Sequence, residues 1–94
     1  MKKYILEDAH AMSVLHRQFE IPNNEEIANI KLGDFVKVCA SSERFWVKVE
    51  FIDLNNRTIY GVVDNELVNT EEHGLKLGDS IEVKTENIYS IQEL

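Results

Sequence analysis

Residues 30–38, IKLGDFVKV, repeat the pattern of residues 75–83, LKLGDSIEV. In each copy an aliphatic residue, Lys and Leu precede Gly-Asp, and after one variable position a β-branched residue, a charged residue and Val follow. Glycine adopts backbone conformations that other residues resist, and aspartate can hydrogen-bond the backbone just ahead of it and close a turn. The β-branched residues suit a pleated, half-buried strand. Each copy therefore predicts a corner that leads into a strand of a small barrel.

Length and composition indicate a single globular domain over residues 1–94. The chain is 44% hydrophobic and 29% charged, with one proline and four glycines, which argues against disorder. Its one cysteine, Cys39, rules out an internal disulfide and favours a reducing compartment. The apolar run at the start is too short for a signal peptide or a membrane span. We expect a cytoplasmic protein that does not associate with membranes.

The net charge of −7 counts against nucleic acid as a partner, because nucleic-acid binders usually carry a basic patch. The excess of acid is concentrated in residues 61–94. The acidic residues there are Asp64, Glu66, Glu71, Glu72, Asp79, Glu82, Glu86 and Glu93, and the basic ones are Lys76 and Lys84. Such a face attracts a basic protein partner. The alternative is a solvated surface that keeps a small domain soluble.

The N-terminal region, residues 1–30, is predicted to be helical. Apolar residues recur at helical spacing through residues 5–19, which predicts a first helix. It should end before Ile21-Pro22, since a residue that precedes proline avoids helical geometry. Asn23, with Glu26 three residues on, resembles a capping box and predicts a second, short helix.

From residue 35 onward the hydrophobic pattern changes to a period of two, which predicts strands. We expect strands at residues 35–40, 44–53, 58–64 and 80–84, turns at 41–43, 54–56 and 85–87, and a short strand or helical turn at 88–94. An N-terminal helix followed by a small, strongly bent antiparallel sheet is an α+β fold. For residues 31–94, the two Gly-Asp corners fit an SH3-like barrel best.

Five short motifs, taken in their order and spacing, resemble a bacterial family. They are GDFVK at 33–37, ERFWVKV at 43–49, YGVVDN at 60–65, GLKLGD at 74–79 and ENI at 86–88. Together they resemble the bacterial domain of unknown function twenty-three-fourteen, over residues 21–92. Where members of that family often have Asp-Pro after Asp-Asn, this chain has Glu66-Leu67. The family occurs in toxin–immunity and mobile-element settings, so the resemblance implies a binding role without an agreed activity.

Trp46 is the foremost candidate binding residue. It lies on the less apolar face of its predicted strand, and tryptophan is over-represented among binding hot spots. The alternative is that Trp46 packs beneath the N-terminal helix and completes the core. Arg44 and Lys48 flank it and could complement an anionic group, or they could be edge charges that block aggregation.

Four further candidates lie after the third predicted strand. Asp64 and Asn65 could present carboxylate and amide oxygens to a ligand or cation, or they could form a turn that bonds its own backbone. Glu71 and Glu72 are candidate contacts to a basic partner, because they belong to the acidic stretch.

No motif predicts catalysis, a metal site or a cofactor. The three histidines do not have the spacing of zinc ligands. Cys39 has no neighbouring base in the sequence and is expected to be a buried structural thiol. There is no glycine-rich phosphate loop and no Gly-x-Ser-x-Gly elbow. We therefore expect neither an enzyme nor a protein that needs a cofactor.

Two function classes remain, and the sequence leaves the oligomeric state open. The first is a non-catalytic protein-binding module of the immunity or antidote kind, which occludes a basic partner with its acidic face. The second is a barrel that binds a small ligand or nucleic acid, with Phe45, Trp46 and Tyr60 as stacking surfaces. Its basic residues would be Lys37, Arg44, Lys48 and Arg57. The net charge and the expected spread of these bases over both sheet faces count against this second class.

Overall fold

The computed structural model describes residues 4–16 and 20–94. Two helices, α1 and α2, precede a five-stranded sheet, and a third helix, α3, lies between the third and fourth strands. The elements are α1 Ala9–His16, α2 Asn24–Ala28, β1 Phe35–Ala40, β2 Glu43–Asp53, β3 Thr58–Val63, α3 Thr70–His73, β4 Ser80–Lys84 and β5 Ser90–Gln92. Single turns of 3-10 helix connect β2 to β3 and β4 to β5. No helix in the described ranges is long and apolar enough to cross a membrane.

The predicted α+β fold with an antiparallel sheet is confirmed. The five strands form one antiparallel sheet in the order β4-β3-β2-β1-β5. Within residues 4–16 and 20–94, no ladder joins β4 to β5, so the sheet is open at these two edges. The prediction of an SH3-like barrel is therefore not confirmed. The strands themselves lie within a residue or two of their predicted positions, because alternating burial determines them.

The first helix begins later than residues 5–19 predicted. The Asp8 carboxylate accepts a hydrogen bond from the Ala11 N–H at 2.9 Å, as an N-cap residue does. The helix therefore starts at Ala9, and residues 4–8, which we call the N-terminal strap, have no regular secondary structure. Residues 17–19, the predicted end of this helix, lie outside the described residues.

The predicted capping box of the second helix is confirmed. The Asn23 side chain accepts from the Glu26 N–H at 2.8 Å, and the Glu26 carboxylate accepts from the Asn23 N–H at 3.2 Å. These reciprocal bonds satisfy two backbone donors that a helix start otherwise leaves unpaired. The helix accordingly begins at Asn24.

The two Gly-Asp corners have the same hydrogen bonds. Gly33 and Gly78 have φ angles of 91° and 90°, which only glycine adopts without strain. The carboxylates of Asp34 and Asp79 each accept from the backbone N–H three residues earlier at 2.9 Å, as predicted. Each glycine N–H also donates to a carbonyl of the adjacent strand, at 2.8 and 2.9 Å. The corners thus hold the starts of β1 and β4 against their neighbours.

The hydrophobic core lies on one face of the sheet, because successive strand side chains point to opposite faces. Phe45 is the largest fully buried side chain among the residues that the structure describes. The other buried core residues are Ile30, Val36, Val38, Ala40, Val47, Val49, Ile59, Val63, Leu75, Ile81, Val83 and Ile88. We call the opposite side of the sheet the outer face.

The N-terminal strap lies between the edge strand β4 and the end of β1, which β5 leaves unpaired beyond Lys37. The Tyr4 hydroxyl donates to the Glu82 carbonyl at 3.1 Å and accepts from the Glu82 N–H at 2.8 Å, both on β4. At the other end, the Glu7 N–H donates to the Cys39 carbonyl of β1 at 2.8 Å. The Asn87 amide also donates to the Glu7 carbonyl at 3.3 Å. The strap therefore connects β4 to β1 where a strand ladder is missing.

Candidate functional site

Trp46 lies on the outer face of the sheet. Its neighbours along β2, Phe45 and Val47, are buried in the core, whereas Trp46 is half-buried. Helix α1 packs elsewhere, because its Ala9 forms a small buried cluster with Cys39 and Tyr89. Trp46 therefore belongs to the surface of the sheet, and the side chains around it determine what it can bind.

Three basic residues surround Trp46 on the outer face. Lys37 is paired with Trp46 across β1 and β2, and its Nζ lies 4.8 Å from the centre of the indole ring, which is a cation–π contact. Arg44 and Lys48 lie two residues to either side of Trp46 on β2, and both are exposed. We call these four residues the Trp46 surface. We expected the basic residues to be spread over both faces of the sheet, and this is wrong for Lys37, Arg44 and Lys48, which share the outer face. The fourth basic residue, Arg57, lies in the turn after β2.

Arg44 also contacts the small cluster under α1. Its guanidinium carbon lies 4.6 Å from the centre of the Tyr89 ring. Cys39, next to this contact, is buried as predicted. Burial raises the pKa of the Cys39 thiol and Glu7 adds to this effect, while Arg44 opposes it. The thiol is therefore neutral at neutral pH and a poor nucleophile.

Asp64 and Asn65 support the backbone of Trp46. The Asn65 amide oxygen accepts from the Trp46 N–H at 2.6 Å, and the Asp64 N–H donates to the Trp46 carbonyl at 2.9 Å. The pairing of β2 with β3 thus continues beyond Val63. The Asn65 oxygen is occupied by this bond, while the Asp64 side chain is exposed beside the Trp46 surface.

Glu71 and Glu72 occupy the first turn of α3 and are exposed, away from the bonds that hold Trp46. The structure thus brings Arg44, Trp46, Lys48, Asp64 and Asn65 together on one part of the sheet, and it places the two glutamates on another element.

Sequence reasoning missed a part-buried pair between Glu43 and His73. His73 Nδ1 accepts from the Leu75 N–H at 3.0 Å, which leaves the ring hydrogen on Nε2 to bond Glu43 Oε1 at 2.9 Å. The Glu43 carboxylate also accepts from the N–H groups of Val68 and Asn69, at 2.8 and 2.9 Å. Burial acts to raise the pKa of Glu43, but these hydrogen bonds outweigh it and hold the pKa below its ordinary value.

The Glu43–His73 pair is structural, because both ring nitrogens of His73 are occupied and its side chain is 1% exposed. It fixes the connection between β3 and β4 to the start of β2. In the part of the chain that the structure describes, no three His, Cys, Asp or Glu side chains are grouped to hold a metal ion.

Two grooves meet at Tyr4. The first, about 650 Å³, is lined by Tyr4, Ile5, Glu7, Cys39, Ser41, Ser42, Glu72 and His73. The second, about 320 Å³, is lined by Tyr4, Glu50, Phe51, Tyr60, Gly61, Ser80, Ile81 and Glu82. We call the two grooves together the acidic surface.

The acidic surface combines carboxylates with exposed apolar side chains. Each groove is lined by two glutamates, and no lysine or arginine lines either among the residues that the structure describes. Lys84 nevertheless reaches the Glu82 carboxylate at 2.8 Å. The exposed fractions are 87% for Ile5, 58% for Phe51 and 40% for Tyr60. Such a surface suits a positively charged, partly apolar partner.

No family model, no curated protein and no solved structure matches this chain. The resemblance to the domain of unknown function twenty-three-fourteen depends on the sequence motifs alone and stays a prediction.

Proposed function

We propose that the protein is a non-catalytic protein-binding module that holds a basic partner against the acidic surface. The observation that supports this proposal is the pair of grooves around Tyr4, with four glutamates and no lining lysine or arginine in the described residues. The exposed rings of Phe51 and Tyr60 lie 5.8 Å apart and add apolar area within the second groove. Because both rings are already partly covered, burying the rest of either contributes only part of the about 1.5–3 kcal/mol that a fully exposed apolar side chain would give.

Charge supports the same proposal at longer range. The net charge of −7 attracts a basic partner before contact, and such steering raises the association rate. A partner whose basic site is covered in this way is occluded, which is how an immunity or antidote protein acts. The settings of the family that the motifs resemble agree with that role.

We also propose that the sheet and the strap together form an SH3-like barrel. The strand order, the 3-10 turn between β4 and β5, and the strap between β4 and β1 support this description. The register shift in β2 between Val49 and Phe51 supports it too, because a bulge bends a strand.

Charge reversal tests the binding proposal. The variant Glu7→Lys/Glu72→Lys should lose at least about tenfold in affinity for a partner captured from the host lysate, because like charges repel across the first groove. Glu25→Lys/Glu66→Lys is the matched control, since it makes the same change in net charge at exposed sites that line neither groove. Equal loss in both variants, or loss in neither, would contradict binding at the acidic surface.

The second function class, a surface for an anionic ligand or nucleic acid, is favoured by one observation. Lys37, Arg44 and Lys48 gather around Trp46 on one face of the sheet. Trp46 is the chain's only tryptophan, so its fluorescence reports directly on this surface. Titration with poly-dT or polyphosphate should quench it at low salt, and Lys37→Gln/Lys48→Gln should abolish the quenching. Lys76→Gln is the control.

A further inference from the structure

β4 is an edge strand, so half of its backbone N–H and carbonyl groups point away from the sheet. One residue's outward groups bond a side chain instead of a further strand. The N–H and carbonyl of Glu82 both bond the Tyr4 hydroxyl, so they point away from β3. Because antiparallel strands alternate in this respect, the backbone groups of Ser80 and Lys84 point the same way. The Lys84 N–H bonds the Asn87 side chain at 2.9 Å. A single phenol thus takes the place that one residue of an added strand would fill.

The groove beside this edge indicates what such a strand would carry. Glu50, Phe51, Tyr60 and Glu82 line it, together with Tyr4 itself. Carboxylates next to exposed aromatic rings favour ammonium or guanidinium groups, since ion pairing and cation–π attraction act together. A strand presents every second side chain to one face. A segment in which basic residues alternate with apolar ones would therefore place its bases over this groove.

We propose that the edge of β4 binds an extended basic segment of the partner by strand addition, with the Tyr4 hydroxyl occupying that edge in the free protein. This inference rests on the proposed function and specifies how it works. On binding, the segment exchanges backbone hydrogen bonds with Glu82 and Ser80, and the strap moves its hydroxyl aside. Main-chain bonds give such complexes affinity, and the groove gives them side-chain selectivity.

The test uses a fluorescein-labelled peptide of about eight alternating lysine and valine residues. Fluorescence anisotropy measures its affinity for the wild-type protein and for Tyr4→Phe, which keeps the ring and removes the hydroxyl. We expect Tyr4→Phe to bind the peptide about three- to tenfold more tightly, because no hydroxyl competes for Glu82. Tyr60→Phe is the matched control, since it removes a hydroxyl from the same groove and leaves the Glu82 bonds in place.

A second peptide tests the backbone bonds without changing the protein. N-methylation of alternate residues removes their donors, so one of the two possible N-methyl patterns should abolish binding to the wild-type chain. A peptide of alternating glutamate and valine should bind neither the wild-type chain nor Tyr4→Phe. The amide resonance of Glu82 should shift when the lysine–valine peptide binds.

Four outcomes would overturn the inference. Equal affinity of wild type and Tyr4→Phe, with no effect of N-methylation, would mean that side chains alone bind the peptide; the proposed function would then survive without strand addition. Weaker binding by Tyr4→Phe would mean that the hydroxyl contacts the peptide. Dimerisation of Tyr4→Phe in sedimentation experiments would identify a second copy of the chain as the occupant. If the lysine–valine peptide binds neither the wild type nor any variant at low salt, the inference of strand addition is also rejected.

Discussion

At Gly61 the backbones of β2 and β3 approach so closely that a methyl group has no room. A Cβ atom built there would lie 2.6 Å from Val47 Cγ1 and closer still to the Lys48 carbonyl oxygen. We expect Gly61→Ala to lower the free energy of unfolding by about 3 kcal/mol, measured by urea denaturation, because the strand pairing must shift.

Gly78→Ala is the natural control for Gly61→Ala. A Cβ at Gly78 meets nothing within 4 Å, but its φ of +90° is unfavourable for alanine. Gly78→Ala should therefore lower the free energy of unfolding by about 1 kcal/mol, from backbone strain alone. If the two substitutions lower the free energy of unfolding equally, then the close approach of the two strands is not the reason that position 61 requires glycine.

Glu43 should make stability depend on pH. Its pKa in the folded protein lies below its ordinary value, so the pair contributes stability at pH values above the unfolded pKa of about 4.3. That contribution is lost as the pH falls through the folded pKa. Between about pH 5 and pH 3, unfolding free energy should therefore fall more steeply in the wild type than in Glu43→Gln.

Glu66→Gln makes the same substitution at an exposed position and serves as the control for Glu43→Gln. An identical slope in Glu43→Gln and the wild type would show that the bonds from His73, Val68 and Asn69 do not bias this carboxyl towards its charged form.

Individual residues were predictable where their bonds are local. Asp34 and Asp79 bond backbone groups three residues away, and the Asn23–Glu26 capping box spans the same distance, so sequence patterns indicate both. Glu43 and His73 are 30 residues apart, and their pairing depends on how α3 packs against β2. Nothing in the neighbouring sequence of either residue signals such a contact.

Among the elements, the strands were predictable and the strap was not. Alternating burial specifies β1 to β4 with little help from the rest of the molecule. The pattern at residues 5–19 indicated one helix, but the Asp8 cap shortens it and the residues before the cap find their partners in β1 and β4. The Asp8 cap is local, but the bonds that hold Tyr4 and Glu7 outside the helix are tertiary, and hydrophobic periodicity does not contain them.

The strap should loosen when Asn87 is removed. The buried Asn87 side chain donates to the Glu7 carbonyl and accepts from the Lys84 N–H. We expect Asn87→Ala to cost about 1–2 kcal/mol of stability and to speed hydrogen exchange at the Glu7 amide. Asn56→Ala, at an exposed turn, should not affect exchange at Glu7. Unchanged exchange in Asn87→Ala would mean that other contacts hold the strap.

At the scale of the molecule, two surfaces of different charge lie on the part of the chain that the structure describes. Glutamates line the acidic surface, and lysines and an arginine surround Trp46. Raising NaCl from about 50 mM to about 500 mM should therefore weaken a basic partner's binding about tenfold or more, since screening shortens the range of these charges. Titration calorimetry at both salt concentrations measures this change. Affinity that is independent of salt would point to a mainly apolar interface.

The bond between Tyr4 and Glu82 joins residues that are 78 positions apart. A ribosome makes Tyr4 early and Glu82 much later, so the strap has no edge to bind while β1, β2 and β3 are being synthesised. Closing a contact of such separation costs chain entropy, and this contact also has to wait until β4 has been made. During synthesis β4 therefore emerges with its edge uncovered, and the edge stays so until Tyr4, already made, reaches Glu82.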